Sequence, residues 1–207
     1  MSGIEAFCDR VSVSRETLDK LSAYAALLEK WNPTINLVAA STLPELWTRH
    51  FLESAAAFEA ANQSDGAWVD LGTGGGFPGA VVAILAQEKA PDLKVTCIEA
   101  DLRKASFLRS LSATVGTPFH ILSRRIEDAP PQQAQIVSAR ALAPLHRLLD
   151  HALRHLVPDG RAIFLKGESW RAEVEEALET FRFSVENRPS PTHPGSAILV
   201  VGDISRA

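Results

Sequence analysis

The chain has 207 residues, 46% of them hydrophobic and 22% charged, with 21 Lys+Arg against 25 Asp+Glu and a formal net charge of −4. That composition fits one globular domain, or one domain with a modest extension, and excludes disordered, collagen-like and coiled-coil chains. The longest apolar stretch, Ala80 to Ala86, is far short of the roughly 20 residues a membrane-spanning helix needs; with no apolar segment of the signal-peptide kind near the N-terminus, the cytoplasm is the expected compartment and no membrane the expected partner.

Residues 1–66 hold 5 Lys+Arg against 9 Asp+Glu, while 67–130 hold 7 and 7 and 131–207 hold 9 and 9, so the acidic excess is entirely N-terminal. This first third reads as a helical extension, 1–66. Leu18, Leu21, Ala25 and Leu28 share one face at the 3.6-residue period, and Thr42 to Glu45 has the pattern of a capping box before a second helix to about Ala60. From Ala67 short β-rich runs alternate with helical patterns, as in βαβ units. Strands are expected at 67–71, 94–99, 118–122, 135–139, 161–166 and 197–202, with another near 183–187; helices are expected at about 79–89, 101–115, 145–156 and 169–181. The fold class is therefore α/β, a mostly parallel sheet with helices on both faces over 67–207. A loop rather than a helix joins the last two strands, which predicts an antiparallel hairpin at the sheet edge.

The segment from Trp68 to Gly79 follows a predicted strand and opens a helix. A dinucleotide fingerprint needs glycines at its first, third and sixth places, but here the sixth is Phe77, and Pro78 has no N–H to offer a pyrophosphate. NAD is disfavoured. Read as Asp70, Gly72, Gly74 and Gly76 at alternate positions, the loop suits a ligand with a positive charge and no phosphate, such as S-adenosyl-L-methionine (SAM). Asp70 is a candidate acceptor for its amino-acid end, directly or through water, and Glu99, ending the next strand, for its ribose hydroxyls.

Further runs accompany this loop: Trp31-Asn32 through Asn36-Leu37, Arg49-His50 through Glu53-Ser54, Arg103-Lys104 with Phe107-Leu108, Arg125-Ile126-Glu127, Arg140-Ala141 and Leu165-Lys166-Gly167. With the glycine run extended through Phe77-Pro78-Gly79, they span about two thirds of the chain. The sequence closely resembles the bacterial 16S rRNA guanine-N7 methyltransferase family historically called glucose-inhibited division protein B. Departures are small: Glu53 stands where Asp is common, Glu99-Ala100 where Asp-Ser is common, and Ala139 separates Ser138 from Arg140. The resemblance implies a Rossmann-like SAM-dependent methyltransferase fold and methyl transfer to N7 of one guanine in 16S rRNA, within the small ribosomal subunit or an assembly intermediate. It also implies cofactor contacts at Gly72, Phe77, Ile126, Glu127 and Arg140.

The residues agree with that chemistry. Enzymes acting on exocyclic amines place Asp or Asn beside prolines after the fourth strand, where this chain has Ser138-Ala139-Arg140-Ala141; C5 chemistry needs a cysteine nucleophile, but Cys97 lies in an apolar strand and Cys8 near the terminus. Guanine N7 has an in-plane lone pair and no proton to lose, so holding it in line suffices. Arg140, Lys166 and Arg125, at strand ends, are the candidate catalytic residues that position cofactor and guanine. In the helix after Pro144, Leu145, Leu148, Leu149, Ala152 and Leu156 form an apolar stripe, and Arg147, His151 and Arg154 share the opposite face. His50 is expected to be a packed or capping histidine unless the family motif gives it a role. The two cysteines should be reduced thiols, the histidines have no metal-ligand spacing, and a metal-free monomer is expected. The competing readings are a small-molecule SAM-dependent methyltransferase and a non-catalytic nucleotide-binding module.

Overall fold

In the computed structural model, which describes residues 3–207, the first elements are α1 (Gly3–Cys8) and α2 (Arg15–Ile35). The Ser14 hydroxyl accepts the Thr17 N–H at 3.2 Å and caps α2, and Leu21, Tyr24, Ala25 and Leu28 form its buried stripe. At the far end the Asn32 side chain bonds both the N–H and the carbonyl of Val38, at 2.9 and 3.1 Å, closing the loop after the helix.

The segment expected as one capped helix to Ala60 is different. Ala40–Glu45 is a 3₁₀ turn and Leu46–Phe51 a π-type turn before α3 (Leu52–Ala61). No capping box forms at Thr42. Its hydroxyl donates to the Ala39 carbonyl at 2.8 Å and its oxygen meets His50 Nε2 at 2.8 Å, so a tertiary partner replaces the helix amide, and Pro44 cannot donate a helical hydrogen bond.

From β1 (Asp65–Leu71) the chain alternates: α4 (Gly79–Lys89), β2 (Asp92–Ile98), α5 (Leu102–Val115), β3 (His120–Leu122), β4 (Ala134–Arg140), α6 (Leu145–His155), β5 (Leu156–Lys166), α7 (Trp170–Ala177), β6 (Phe181–Pro189) and β7 (Ala197–Arg206). The predicted helix 169–181 stops at Ala177 because Phe181 turns into the core as the first residue of β6. β5 starts well before its expected position, directly after α6, with an irregular register between Ala134 and Ile136.

The strand order is β3-β2-β1-β4-β5-β7-β6, parallel except that β7 runs antiparallel to both its neighbours. The hairpin is present, with the last strand on the inner side and β6 at the edge. Alternation along the strands divides the interior. Trp68, Cys97, Ile136, Ile163, Ile198 and Val200 face α4, α5 and the N-terminal helices, which share that one core; Val69, Ile98, Val137, Phe164, Leu199 and Val201 face α6 and α7. No helix among the described residues is long and apolar enough to cross a membrane.

Candidate active site

Strands β1 and β4 adjoin where the strand order reverses, and ligands of such sheets bind beyond the carboxyl ends there. Two cavities open at this end. The larger, about 950 Å³, has Glu99, Lys104, Arg125, Ile126, Glu127 and Arg147 in its walls. The smaller, about 580 Å³, lies under the 37–53 segment and is walled by Leu37, His50, Glu53, Phe77, Lys166 and His193, among others. Gly72, Gly74, Arg140 and Ala141 belong to both walls, so the cavities meet along a seam between β1 and β4.

The loop after β1 needs its glycines for different reasons. Gly76 has φ +98°, and a Cβ there would lie 2.4 Å from the Tyr24 hydroxyl oxygen and 2.9 Å from Ala80 Cβ, so packing alone requires it. Gly74, at φ +57°, would meet no protein atom closer than the Gly72 carbonyl at 3.9 Å; the space beside it is cavity. Tyr24, the only tyrosine of the chain, donates its hydroxyl to the Gly75 carbonyl and stacks on Phe77, ring centroids 5.3 Å apart.

Glu99 stands at the rim of the larger cavity with one oxygen on the Gly74 N–H and the other on the Asp101 N–H, both at 2.8 Å. A carboxylate offers about four acceptor sites, so capacity remains for a ribose diol. The open glycine cradle, this anchored carboxylate and the apolar Ile126 fit an adenosine-bearing cofactor, and the cavity volume falls within the usual range for such ligands.

The remaining expected site residues take different places. Asp70 is fully buried and lines neither cavity; its oxygens accept the Ser138 hydroxyl at 2.7 Å and the Gly79 N–H at 3.0 Å, and burial raises its carboxyl to about 6. Direct contact with the cofactor does not fit this burial; Asp70 holds the loop instead. Gly76 also lines neither cavity, and Phe77 lines only the smaller one. Lys166 lines the smaller cavity, but its ammonium is committed to Glu173 Oε2 at 2.6 Å and the Ala143 carbonyl at 3.0 Å, because Glu173 at the start of α7 also anchors the Leu145 N–H at 2.9 Å. Arg125 and Glu127 are exposed on the wall of the larger cavity, where Arg147, His151 and Arg154 join them; His151 faces Glu127 at 3.9 Å and Arg154 donates to the Ala129 carbonyl at 2.8 Å.

Arg140, the last residue of β4, reaches the seam despite the intervening Ala139. Its Nη1 donates to His50 Nδ1 at 2.5 Å and lies 3.9 Å from Glu53 Oε2, and its Cζ sits 5.0 Å from the Phe77 ring centroid. Burial, followed by the neighbouring Arg140 charge, lowers His50 to about 3, so it is neutral. Thr42, Glu53, Tyr24, Ser138 and Glu173 therefore shape the site without having been singled out as site residues. Glu53 belongs to the Arg49–Ser54 run, Ser138 to the run that ends in Arg140-Ala141, and Tyr24 adjoins Ala25 of the predicted helical stripe, but nothing local marks Glu173. Among the described residues no cluster of three or more His, Cys, Asp or Glu side chains suited to a metal ion occurs.

The strand order, the glycine loop and the acid directly after β2 define the Rossmann-like fold of SAM-dependent methyltransferases. Solved structures share it at low identity: a methyltransferase from Pyrococcus furiosus has TM-score 0.60 and 13% identity, covering 89% of this chain and 98% of that one. The ribosomal protein L11 methylase from Lactobacillus delbrueckii subsp. bulgaricus has TM-score 0.55 and 20% identity, covering 74% and 77%. The family model GidB, rRNA small subunit methyltransferase G, matches residues 17–193, and the chain belongs to that family. "Ribosomal RNA small subunit methyltransferase G" of Ruegeria sp. (strain TM1040) is 47% identical over 196 residues, 95% of each chain. The protein of the same name from Paracoccus denitrificans is 44% identical over 198 residues, 95% of this chain and 100% of the relative. The chain is an enzyme, a methyltransferase.

Proposed function

We propose that this protein transfers the methyl group of SAM to N7 of one guanine in 16S rRNA, presented in the small ribosomal subunit or an assembly intermediate. The observation that carries the reading is the seam: a cavity suited to the cofactor and a second, polar-rimmed cavity meet at Gly72, Gly74, Arg140 and Ala141. When bound, SAM supplies an electrophilic methyl group on a sulfonium sulfur. Gly72, Gly74, Glu99, Ile126 and Glu127 hold it in the larger cavity, while Asp70 and Phe77 act by fixing the loop.

Arg140 directs guanidinium donors at the seam, where guanine O6 or a phosphate can take them. The N7 lone pair carries no proton, so orientation is the main task and the reading needs neither a general base nor a metal. Other acceptor chemistries find no matching group: 141–144 holds no Asp or Asn, and Cys97 is fully buried. Lys166 positions the Ala143–Leu145 turn at the mouth. Lys104, Arg124, Arg125 and Arg147 around the larger cavity exceed what a cationic cofactor needs and suit an RNA backbone. The reading includes a monomer working in the cytoplasm on a folded ribonucleoprotein.

The test is incubation with radiolabelled SAM and unmethylated rRNA, given as naked RNA and as small subunits, with mapping of the labelled base. Label on guanine N7 is expected. Label on an exocyclic amine, or on small metabolites alone, refutes the reading.

A further inference from the structure

We propose that His50 is a positioning residue that fixes the Arg140 guanidinium as a neutral hydrogen-bond acceptor, with Thr42 setting its tautomer and Glu53 completing the clasp. This rests on the role given to Arg140 above.

The proton positions follow from the contacts. Arginine has donors and no acceptor, so His50 Nδ1, at 2.5 Å from Arg140 Nη1, accepts and carries no proton. The imidazole proton is then on Nε2, which donates to Thr42 Oγ1 at 2.8 Å. That oxygen is available to accept because the Thr42 hydroxyl proton goes to the Ala39 carbonyl at 2.8 Å. Each proton in the chain Ala39, Thr42, His50, Arg140 has one place. An imidazolium would set an N–H against the guanidinium N–H groups. The other charged or titratable groups facing His50 are Arg49 and His193, and both also disfavour its protonation.

Glu53 holds the same guanidinium from a second side. Its Oε2 lies 3.9 Å from Arg140 Nη1, and its Oε1 accepts the hydroxyls of Ser190 and Thr192 at 3.0 and 2.9 Å, tying the β6–β7 loop to the clasp. The Phe77 ring lies against the guanidinium. These contacts use Nη1 and one face, leaving the remaining donors for the seam. The π-type turn at Leu46–Phe51 belongs to this device: a local departure from the regular helix sets His50 toward Arg140 and Thr42 while Glu53, on the next turn, reaches the loop.

Three substitutions separate the possibilities. His50→Asn keeps an acceptor at the δ position, His50→Gln moves the polar atoms to the ε position, and His50→Leu removes both. Methylation of small subunits, SAM affinity by calorimetry, melting temperature and the pH dependence of kcat are measured for each beside the unsubstituted protein. The expected result is that Asn retains kcat within about threefold while Gln and Leu lose at least about tenfold, with SAM affinity shifted less than about threefold. The Asn variant and the unsubstituted protein should share one pH profile from about pH 5 to 9. Thr42→Val, similar in shape but unable to accept the Nε2 proton, should lose kcat beyond what any fall in its melting temperature accounts for.

The positioning role is overturned if Asn is as inactive as Leu and the pH profile loses a limb, which would make His50 a proton carrier. It is overturned equally if losses merely follow melting temperature, or if Leu keeps full kcat. An unsubstituted protein that leaves rRNA unlabelled under the same conditions overturns instead the functional reading on which the proposal rests.

Discussion

Asp70 and Ser138 lie side by side in the β1–β4 register, the Ser138 hydroxyl donating to the carboxylate at 2.7 Å. Ser138 in turn accepts the Trp68 indole N–H at 2.8 Å, and the second carboxylate oxygen takes the first amide of α4, that of Gly79. The acid that precedes the glycine loop is thus a buried strut joining loop, helix and neighbouring strand.

That burial makes Asp70 a source of pH-dependent stability. Its carboxyl is raised from 3.8 to about 6 in the folded protein, so its contribution is fully present below the unfolded value and is lost as the pH rises through about 6. Asp70→Asn keeps an acceptor for the Gly79 N–H and cannot titrate. Denaturant unfolding followed between about pH 4 and 7 should show about 2–3 kcal/mol less pH dependence in the variant than in the unsubstituted protein. Superimposable pH–stability curves would contradict the assignment.

Two glycines in one loop should respond oppositely to a methyl group. Gly76→Ala drives a Cβ into Tyr24 and Ala80 at a strained φ, and a loss of about 2–4 kcal/mol in stability is expected. Gly74→Ala meets no protein atom within 3.9 Å and should cost about 1 kcal/mol, yet it occupies cavity space and should weaken SAM binding by at least about tenfold. Melting curves and calorimetry on the two variants decide it. Undiminished SAM affinity in Gly74→Ala would remove this cavity as the cofactor site.

Lys166 and Glu173 form a largely buried ion pair, with side chains 9% and 18% exposed. Losing one partner strands the other, so Lys166→Ala should destabilise by about 2 kcal/mol, with the double variant Lys166→Ala/Glu173→Ala recovering part of the loss. A double-mutant cycle measures the coupling. Zero coupling together with a selective loss of kcat would return Lys166 to direct contact with guanine.

Arg124 and Arg147 flank the larger cavity from the β3 end and from α6. If both meet phosphates, Arg124→Ala and Arg147→Ala should each lower the slope of log K against log salt for RNA binding by about 1 while leaving SAM affinity unchanged. Slopes identical to that of the unsubstituted protein would place the RNA backbone elsewhere.

Local pattern sufficed for the sheet and its helices. The alternation of apolar residues in strands, the stripe Leu145, Leu148, Leu149 and Ala152, and the turn residues between elements are properties of neighbouring residues, and each predicted strand is present. The same locality explains the misplacements. Thr42 to Glu45 has a helix-start pattern, but His50 takes the Thr42 side chain; Phe181 ends α7 early because the core has room for its ring. Local sequence registers neither competitor.

The opening composition set an acidic N-terminal third against a charge-balanced remainder, and the motifs marked a glycine loop, Glu99, Arg140 and a basic stripe on α6. What sequence alone determined was which chemistry-bearing side chains lie at which strand ends. Only the tertiary structure decided which of them are free to act. Asp70 and Lys166 are committed to partners 68 and 7 positions away along the chain, while Arg140 is clasped by residues of the N-terminal segment and still reaches the seam. The physical reason is that a charged group's role depends on its hydrogen-bond partners and burial, which chain folding sets at long range, whereas hydrophobic period and turn chemistry are set residue by residue.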